Sequence, residues 1–194
     1  GAASTTITGA VETVNLTSST SANSVTLESS ATTLNISGSA DLTLAAASTI
    51  LDQTTTINAS SATGAVTLDS DNTSAAGAVT ITGGSGNDSL TLSGANSATD
   101  TVSGGAGDDT ITFTTDLADA DVINGGAGTD TLVGTDANIV ALTTANNISN
   151  IEVIELSDDL DGSITLADID SSIKSFTINS TAVDNNGAVT FGAG

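Results

Sequence analysis

The sequence predicts an all-β fold, a right-handed parallel β-roll or β-solenoid with glycine-rich turns on one edge and a mixed C-terminal segment. Three observations predict it. Short apolar triplets centred on Thr or Asn recur at steps of 8 to 13 residues, the spacing of brief strands separated by turns. Three near-identical glycine turns begin at Gly83, Gly104 and Gly125, a period of 21 residues, and a fixed period of this order marks stacked repeats. Ala, Ser, Thr and Gly fill most of the remainder, and the apolar content of 38% suits a thin stacked core rather than a globular one.

The strands follow in order. Upstream come Val14-Asn15-Leu16, Val25-Thr26-Leu27, Leu34-Asn35-Ile36, Leu42-Thr43-Leu44, Thr55-Thr56-Ile57, Val66-Thr67-Leu68 and Val79-Thr80-Ile81. Leu90-Thr91-Leu92, Ile111-Thr112-Phe113 and Leu132-Val133 follow the glycine turns. Two steps make one coil of about twenty residues, so the solenoid is expected from near residue 11 to about 135. Aromatic rings are expected to be too bulky for so narrow an interior, and only Phe113, Phe176 and Phe191 occur. Three segments result: a Thr/Ser/Ala-rich solenoid over 1–82, the glycine-repeat roll over 83–135, and a continuation or cap over 136–194.

The last segment changes character. Thr135-Asp136 ahead of Ile139, Val140 and Leu142 predicts a short helix with Asp136 as its cap, and Leu166-Ala167-Asp168-Ile169 with Ile173 is a second candidate. Ile151-Glu152-Val153-Ile154-Glu155-Leu156 alternates as a strand should and echoes Val11-Glu12-Thr13-Val14-Asn15-Leu16, which suggests a large unit that begins again near residue 151. Asp158-Asp159-Leu160-Asp161-Gly162 and Asp184-Asn185-Asn186-Gly187 are turn signals. The chain opens mid-pattern without an initiator Met, and reads as a segment of a longer protein.

The glycine turns carry the chemistry. Each reads Gly-Gly-x-Gly-x-Asp ahead of an extended apolar stretch, the pattern of a calcium-binding turn in a parallel β-roll. Calcium takes six to eight oxygens at about 2.3–2.6 Å. Glycine turns expose carbonyls without a Cβ in the way and reach φ > 0, so that successive carbonyls can face one centre. One turn cannot surround the ion, but two stacked turns can. The expected ligands are the side chains of Asp88, Asp109 and Asp130 and the carbonyls of Gly83, Ser85, Gly104, Ala106, Gly125 and Ala127. The fifth positions, Asn87, Asp108 and Thr129, offer a further oxygen. Three turns make two sandwiched sites, between turns 1 and 2 and between turns 2 and 3, with partial sites at the ends. One copy alone would read as an ordinary Gly/Asp turn; three in register, each feeding a strand, read as a metal edge. A weaker register exists in Asp100 and Asp121, also 21 apart, and Asp69, Asp71, Asp116 and Asp119 fall in the long opposite turns; this far-edge set offers ligands for further ions, but solvated turn residues are the favoured reading.

Composition excludes much else. The 194 residues include 23 acidic side chains, one basic side chain (Lys174), and no His, Cys, Pro, Met, Trp or Tyr, for a net charge of −22. Without His or Cys there is no Ser-His-Asp or Cys-His arrangement and no ordinary zinc site. With one basic residue there is no anion clamp and no nucleic-acid footprint, and the charge repels nucleic acids and anionic membranes alike. No apolar run is long enough to span a bilayer. Crowded carboxylates oppose collapse without metal and become ligands with it, so folding is expected to depend on calcium at least across 79–135. Weak, carbonyl-rich sites suit the calcium of extracellular fluids.

At this point the three turns resemble the RTX repeats of proteins exported by bacterial type I secretion, over about 83–133. The Thr/Ser/Ala-rich strands, with Val11 to Leu16 and Ile151 to Leu156, are similar to bacterial surface-layer (S-layer) proteins that carry such repeats. That resemblance implies a secreted, self-assembling lattice subunit on a Gram-negative cell surface, with calcium driving folding and lattice contacts, and a surface polysaccharide anchor elsewhere in the parent protein. The chain departs from the family in lacking a tandem nine-residue period, which favours calcium on one edge. The alternative is the stalk or ligand-binding module of a large RTX adhesin, separated from the first by whether the chain forms arrays or stays an extended monomer; ice binding through a flat Thr array is disfavoured by the irregular steps before residue 79. Catalysis of the β-helix lyase or glycosidase kind is disfavoured, because Lys174 is the one basic group and stacking aromatics are scarce.

Overall fold

The computed structural model describes residues 3–6, 11–44, 54–70, 77–94, 98–115, 117–142, 147–166, 169–179 and 187–191. Among these, two parallel sheets enclose one core. The first runs β1 (Ala3–Thr6), β3 (Asn23–Glu28), β5 (Leu42–Leu44), β7 (Val66–Ser70), β9 (Ser89–Leu92), β11 (Thr110–Phe113), β13 (Thr131–Gly134), β15 (Val153–Leu156) and β17 (Ser175–Ile178). The second runs β2 (Thr13–Thr17), β4 (Thr33–Gly38), β6 (Thr56–Ala62), β8 (Thr80–Thr82), β10 (Thr101–Ala106), β12 (Val122–Ala127) and β14 (Ile148–Ser149). A small third sheet pairs β16 (Ile164–Thr165) with β18 (Val189–Thr190). Consecutive strands alternate between the two main sheets, and each pairs in parallel with the strand one coil away. The fold is therefore a β-solenoid of about seven turns.

The strands form because inward positions are apolar and outward ones polar, with period two. Leu90 and Leu92 in β9, Ile111 and Phe113 in β11, and Ile154 and Leu156 in β15 are buried, while Thr91, Thr112 and Glu155 between them are not. The pairing reaches further than the expected span of 11 to about 135: β1 pairs with β3 at one end, and β15 and β17 continue the first sheet beyond β13. Coil length is constant only in the centre. Thr101 pairs with both Thr80 and Val122, and Thr110 with both Ser89 and Thr131, a step of 21 residues on both sheets. Elsewhere the step varies, yet Thr13, Thr33, Thr56, Thr80 and Thr101 still form one column. Extra residues are absorbed mainly in the connections, with one taken up inside the ladder by a register shift of β6 against β4 between Asn35 and Ser37. The echoing stretches at Val11 to Leu16 and Ile151 to Leu156 fall in opposite sheets, so their likeness is one of strand chemistry rather than of place in the coil.

Phe113 corrects the expectation about aromatics: it is 2% exposed, inside the roll. Room exists because the inward residue of β13 one coil on is Gly134, whose missing side chain leaves space taken by Ile139. Ile139 lies on α1 (Asp136–Val140), which forms where a short helix was expected. Its cap is Thr135 rather than Asp136: the Thr135 hydroxyl accepts the Asn138 N–H at 3.3 Å. Asp136 instead occupies the first turn and accepts the Gly162 N–H. For the second helix candidate, Ala167 and Asp168 lie outside the described residues; Leu166 and Ile169 flank them, both buried.

The packing gives a direct test. Ile111→Ala, in a fully buried position, is expected to destabilise the folded chain by about 2–5 kcal/mol. Thr112→Ala, its outward neighbour, is expected to change stability by less than about 0.5 kcal/mol. Urea unfolding in calcium separates the two.

Candidate metal centre

The glycine turns lie on the edge where the chain passes from the second sheet to the first. In turns 2 and 3 the strand runs straight into the glycines: β10 continues to Ala106 and β12 to Ala127. Gly105 and Gly126 sit at φ +112° and +110°, and Gly107 and Gly128 at +116° and +150°, conformations that side chains resist. A Cβ on Gly126 would also collide with the carbonyl oxygen of Gly105 one coil back. The first turn is built differently despite its like sequence: Gly84 does not share this conformation, and its N–H donates to Asp88 Oδ2 at 2.7 Å.

The sixth-position aspartates form a buried column. Asp88, Asp109 and Asp130 are 2%, 1% and 0% exposed. Each lies directly before the strand that follows its turn, and each uses Oδ1 to accept a backbone N–H from one coil back. Asp88 accepts from Val66, Asp109 from Asp88, and Asp130 from Asp109, all at 2.8 Å. Glu152 extends the column, its Oε2 accepting the Asp130 N–H at 3.0 Å. Lys174, the chain's single basic residue, stands in the next register, one residue before the paired Val153 and Ser175.

The other oxygen of each aspartate meets a carbonyl. Asp88 Oδ2 and the Gly104 carbonyl share the space above Gly83; Asp109 Oδ2 and the Gly125 carbonyl share that above Gly104; Asp130 Oδ2 and the Asn150 carbonyl share that above Gly125. Asp109 Oδ2 and Asp130 Oδ2 are buried without a hydrogen-bond partner among the described residues. A buried carboxylate oxygen with no donor is costly, and a cation beside it and a carbonyl removes the deficit. The residues therefore fit calcium. Among the described residues no group of three or more acidic side chains converges on a point.

The electrostatics agree. Burial pushes the carboxyl of Asp109 up to about 7, reinforced by the neighbouring charges of Asp88, Asp130 and Asp108 and opposed by the Asp88 N–H. Burial likewise raises Asp88, against its hydrogen bonds from Gly84 and Val66. It raises Asp130 too, where Glu152 and Asp108 add to the effect.

The remaining expected ligands are placed as follows. Asn87, Asp108 and Thr129 are exposed and form an outer ladder, in which Asn87 Oδ1 accepts the Asp108 N–H and Asp108 Oδ1 the Thr129 N–H. The Ala127 carbonyl accepts the Gly107 N–H, and the Ser85 and Ala106 N–H groups bond one coil back to Ala62 and Gly84. On the opposite edge the solvated reading fails for the weaker register. Asp100 and Asp121 are 7% and 2% exposed, and their Oδ1 atoms accept the N–H groups of Val79 and Asp100. Asp69 lies in β7, bonded by Ser93 Oγ at 2.6 Å. Asp119 is half-buried beside that edge. Asp71 and Asp116 lie outside the described residues. Asn150 and Glu152 were not anticipated, because their spacing from turn 3 breaks the 21-residue step; only the register with β12 and β13 brings them to the edge.

A parallel solenoid whose stacked Gly-Asp turns present buried carboxylates and carbonyls is a β-roll in class. The family model described as RTX calcium-binding nonapeptide repeat (4 copies) matches residues 74–96, 94–112 and 115–138, so this chain carries RTX repeats. Such repeats bind Ca²⁺, and proteins that contain them are typically secreted. No curated protein and no solved structure matches the chain. Among the described residues no helix is long and apolar enough to cross a membrane.

Two tests follow. Gly126→Ala is expected to abolish the calcium-induced fold of turns 2 and 3, whereas Gly77→Ala, where a Cβ meets only Thr55 Cγ2 at 3.8 Å, is tolerated; calcium-titrated circular dichroism compares them. The second test uses pH. A carboxyl raised on folding binds protons that the unfolded chain has released, so its stabilising contribution is fully present below about 3.8 and is lost as pH rises through about 7. In chelator the protein is thus expected to be more structured at pH 5 than at pH 8, and calcium to remove that difference.

Proposed function

We propose that the chain is a structural segment of a calcium-dependent extracellular bacterial assembly, an S-layer-like lattice subunit that folds and assembles on binding calcium. The observation that carries this reading is the pair of buried, donor-less oxygens on Asp109 and Asp130, which link the fold to the ion. At about 10 mM calcium, a site of the extracellular class (Kd about 10⁻⁴–10⁻³ M) contributes about 1.4–2.7 kcal/mol. At micromolar calcium it contributes almost nothing, so the folded state belongs outside the cell.

The outer faces support assembly rather than catalysis. Thr13, Thr33, Thr56, Thr80 and Thr101 form one column on the second sheet, and Asn15, Asn35 and Asn58 another, with Asn35 Nδ2 donating to Asn15 Oδ1 at 2.8 Å. These are neutral hydrogen-bonding faces on a body of charge −22. Such bodies repel unless divalent cations lie between them. The continuous parallel ladder also forms a rod, which favours the adhesin stalk as a second reading.

Analytical ultracentrifugation and electron microscopy across a calcium series decide between them. The lattice reading expects an unfolded or partly folded monomer in chelator and ordered arrays in millimolar calcium. A folded, extended monomer at every calcium and protein concentration overturns it in favour of the stalk. Full β-sheet circular dichroism after exhaustive chelation overturns the calcium-driven folding common to both.

A further inference from the structure

Beyond the three repeats, the next coil is built to the same plan from different residues. Ile148 and Ser149 pair with Ile123 and Asn124, which sets Asn150 beside Gly125, where a fourth first-position glycine would stand. Asn150 adopts φ +55°, the one non-glycine residue with positive φ among those described; asparagine tolerates this region better than most side chains. Its Nδ2 donates to Asn124 Oδ1 at 2.7 Å, which ties the turn to the coil before it. Its carbonyl oxygen faces the space above Gly125, where Asp130 Oδ2 is aimed. That oxygen is buried and has no hydrogen-bond partner among the described residues, and Asp130 is 0% exposed. Glu152 holds the place of the column's aspartate, and its Oε2 accepts the Asp130 N–H. One register further stands Lys174, whose backbone N–H bonds the Glu152 carbonyl.

We infer that the calcium edge extends one coil beyond the repeats, to a divalent-cation site formed by Asp130 Oδ2, the Asn150 carbonyl and the Glu152 carboxylate. The inference rests on the calcium-binding reading of the edge. A cation there joins turn 3 to the coil carrying β14 and β15, so the ion orders a segment that has no glycine repeat of its own. At the paired position of the following coil Lys174 carries an ammonium that cannot ligate calcium, while Asp170 Oδ2 accepts the Ile151 N–H at 2.9 Å.

The test is calcium stoichiometry by equilibrium dialysis on the full chain, with hydrogen exchange as a second readout. Glu152→Gln keeps an acceptor for the Asp130 N–H but removes a charge. It is expected to weaken one bound ion about tenfold or more, leave the others unchanged, and lose the calcium-dependent amide protection of Val153–Leu156 at limiting calcium. Asn150→Val, which resists positive φ, is expected to do the same. Asp109→Asn serves as the reference and loses the ion between turns 2 and 3. If both Asn150→Val and Glu152→Gln match the wild type in ion count, affinity and protection while Asp109→Asn loses an ion, the extended site is overturned and the repeat sites stand. If the wild type binds no calcium, the reading of the whole edge is overturned. Should Asn150→Val fail to fold, Glu152→Gln and the wild-type exchange pattern decide the question.

Discussion

Stacking like coils at one strand spacing forces like side chains into columns, and here one column is made of carboxylates. Parallel strands lie about 4.8 Å apart. Two charges about 5 Å apart repel by about 3 kcal/mol at an effective dielectric constant of about 20. The solenoid accepts this because one oxygen of each aspartate closes a backbone N–H of the preceding coil, as Asp109 does for Asp88 and Asp130 for Asp109. The second oxygen is the difficulty. In turn 1 the Gly84 N–H satisfies it; in turns 2 and 3 the second glycine has φ > 0 and the oxygen is left without a donor. The same three turns thus treat one buried charge in two ways, with a hydrogen bond from the turn itself in the first and with an oxygen that faces a carbonyl and has no donor in the others.

The rest of the architecture keeps that column straight. A step of 21 residues on both sheets holds the glycine turns in register through the centre. Where coils are longer, the extra residues leave mainly at the connections, as in the helix that covers Gly134 with Ile139. The hydroxyl column of Thr13 to Thr101 persists across coils of unequal length for the same reason. A second buried pair, Asp100 and Asp121, closes backbone N–H groups on the opposite edge. A carboxylate before the incoming strand is therefore a general means of capping coils in this fold, and the glycine turns add metal chemistry to it.

Strands with two inward apolar residues, such as Leu90-Thr91-Leu92, were legible from period two alone. β10 and β12 were not: their inward positions are Val102 with Gly104 and Ile123 with Gly125, and a glycine at the second erases the alternation. The ligand-bearing turns were legible because Gly and Asp recur at a fixed step. Asn150 and Glu152 were hidden because the coil after turn 3 is longer, so matching by period fails while matching by ladder register succeeds. Phe113 was misjudged because the room for its ring is made by Gly134, a neighbour across 21 residues that no local window joins to it.

By itself the sequence determined the all-β solenoid, the coil length of its centre, the glycine-aspartate turns and the exclusion of thiol, imidazole and cationic chemistry. These follow from local periodicity and residue type, which need no partner to be read. Tertiary structure decided which carboxylate oxygens lack a donor, why Gly84 differs from Gly105 and Gly126, and that Glu152 continues the acidic column beyond the repeats. Those depend on which residues lie one coil apart, a distance set in space by strand pairing and in sequence by connections of unequal length.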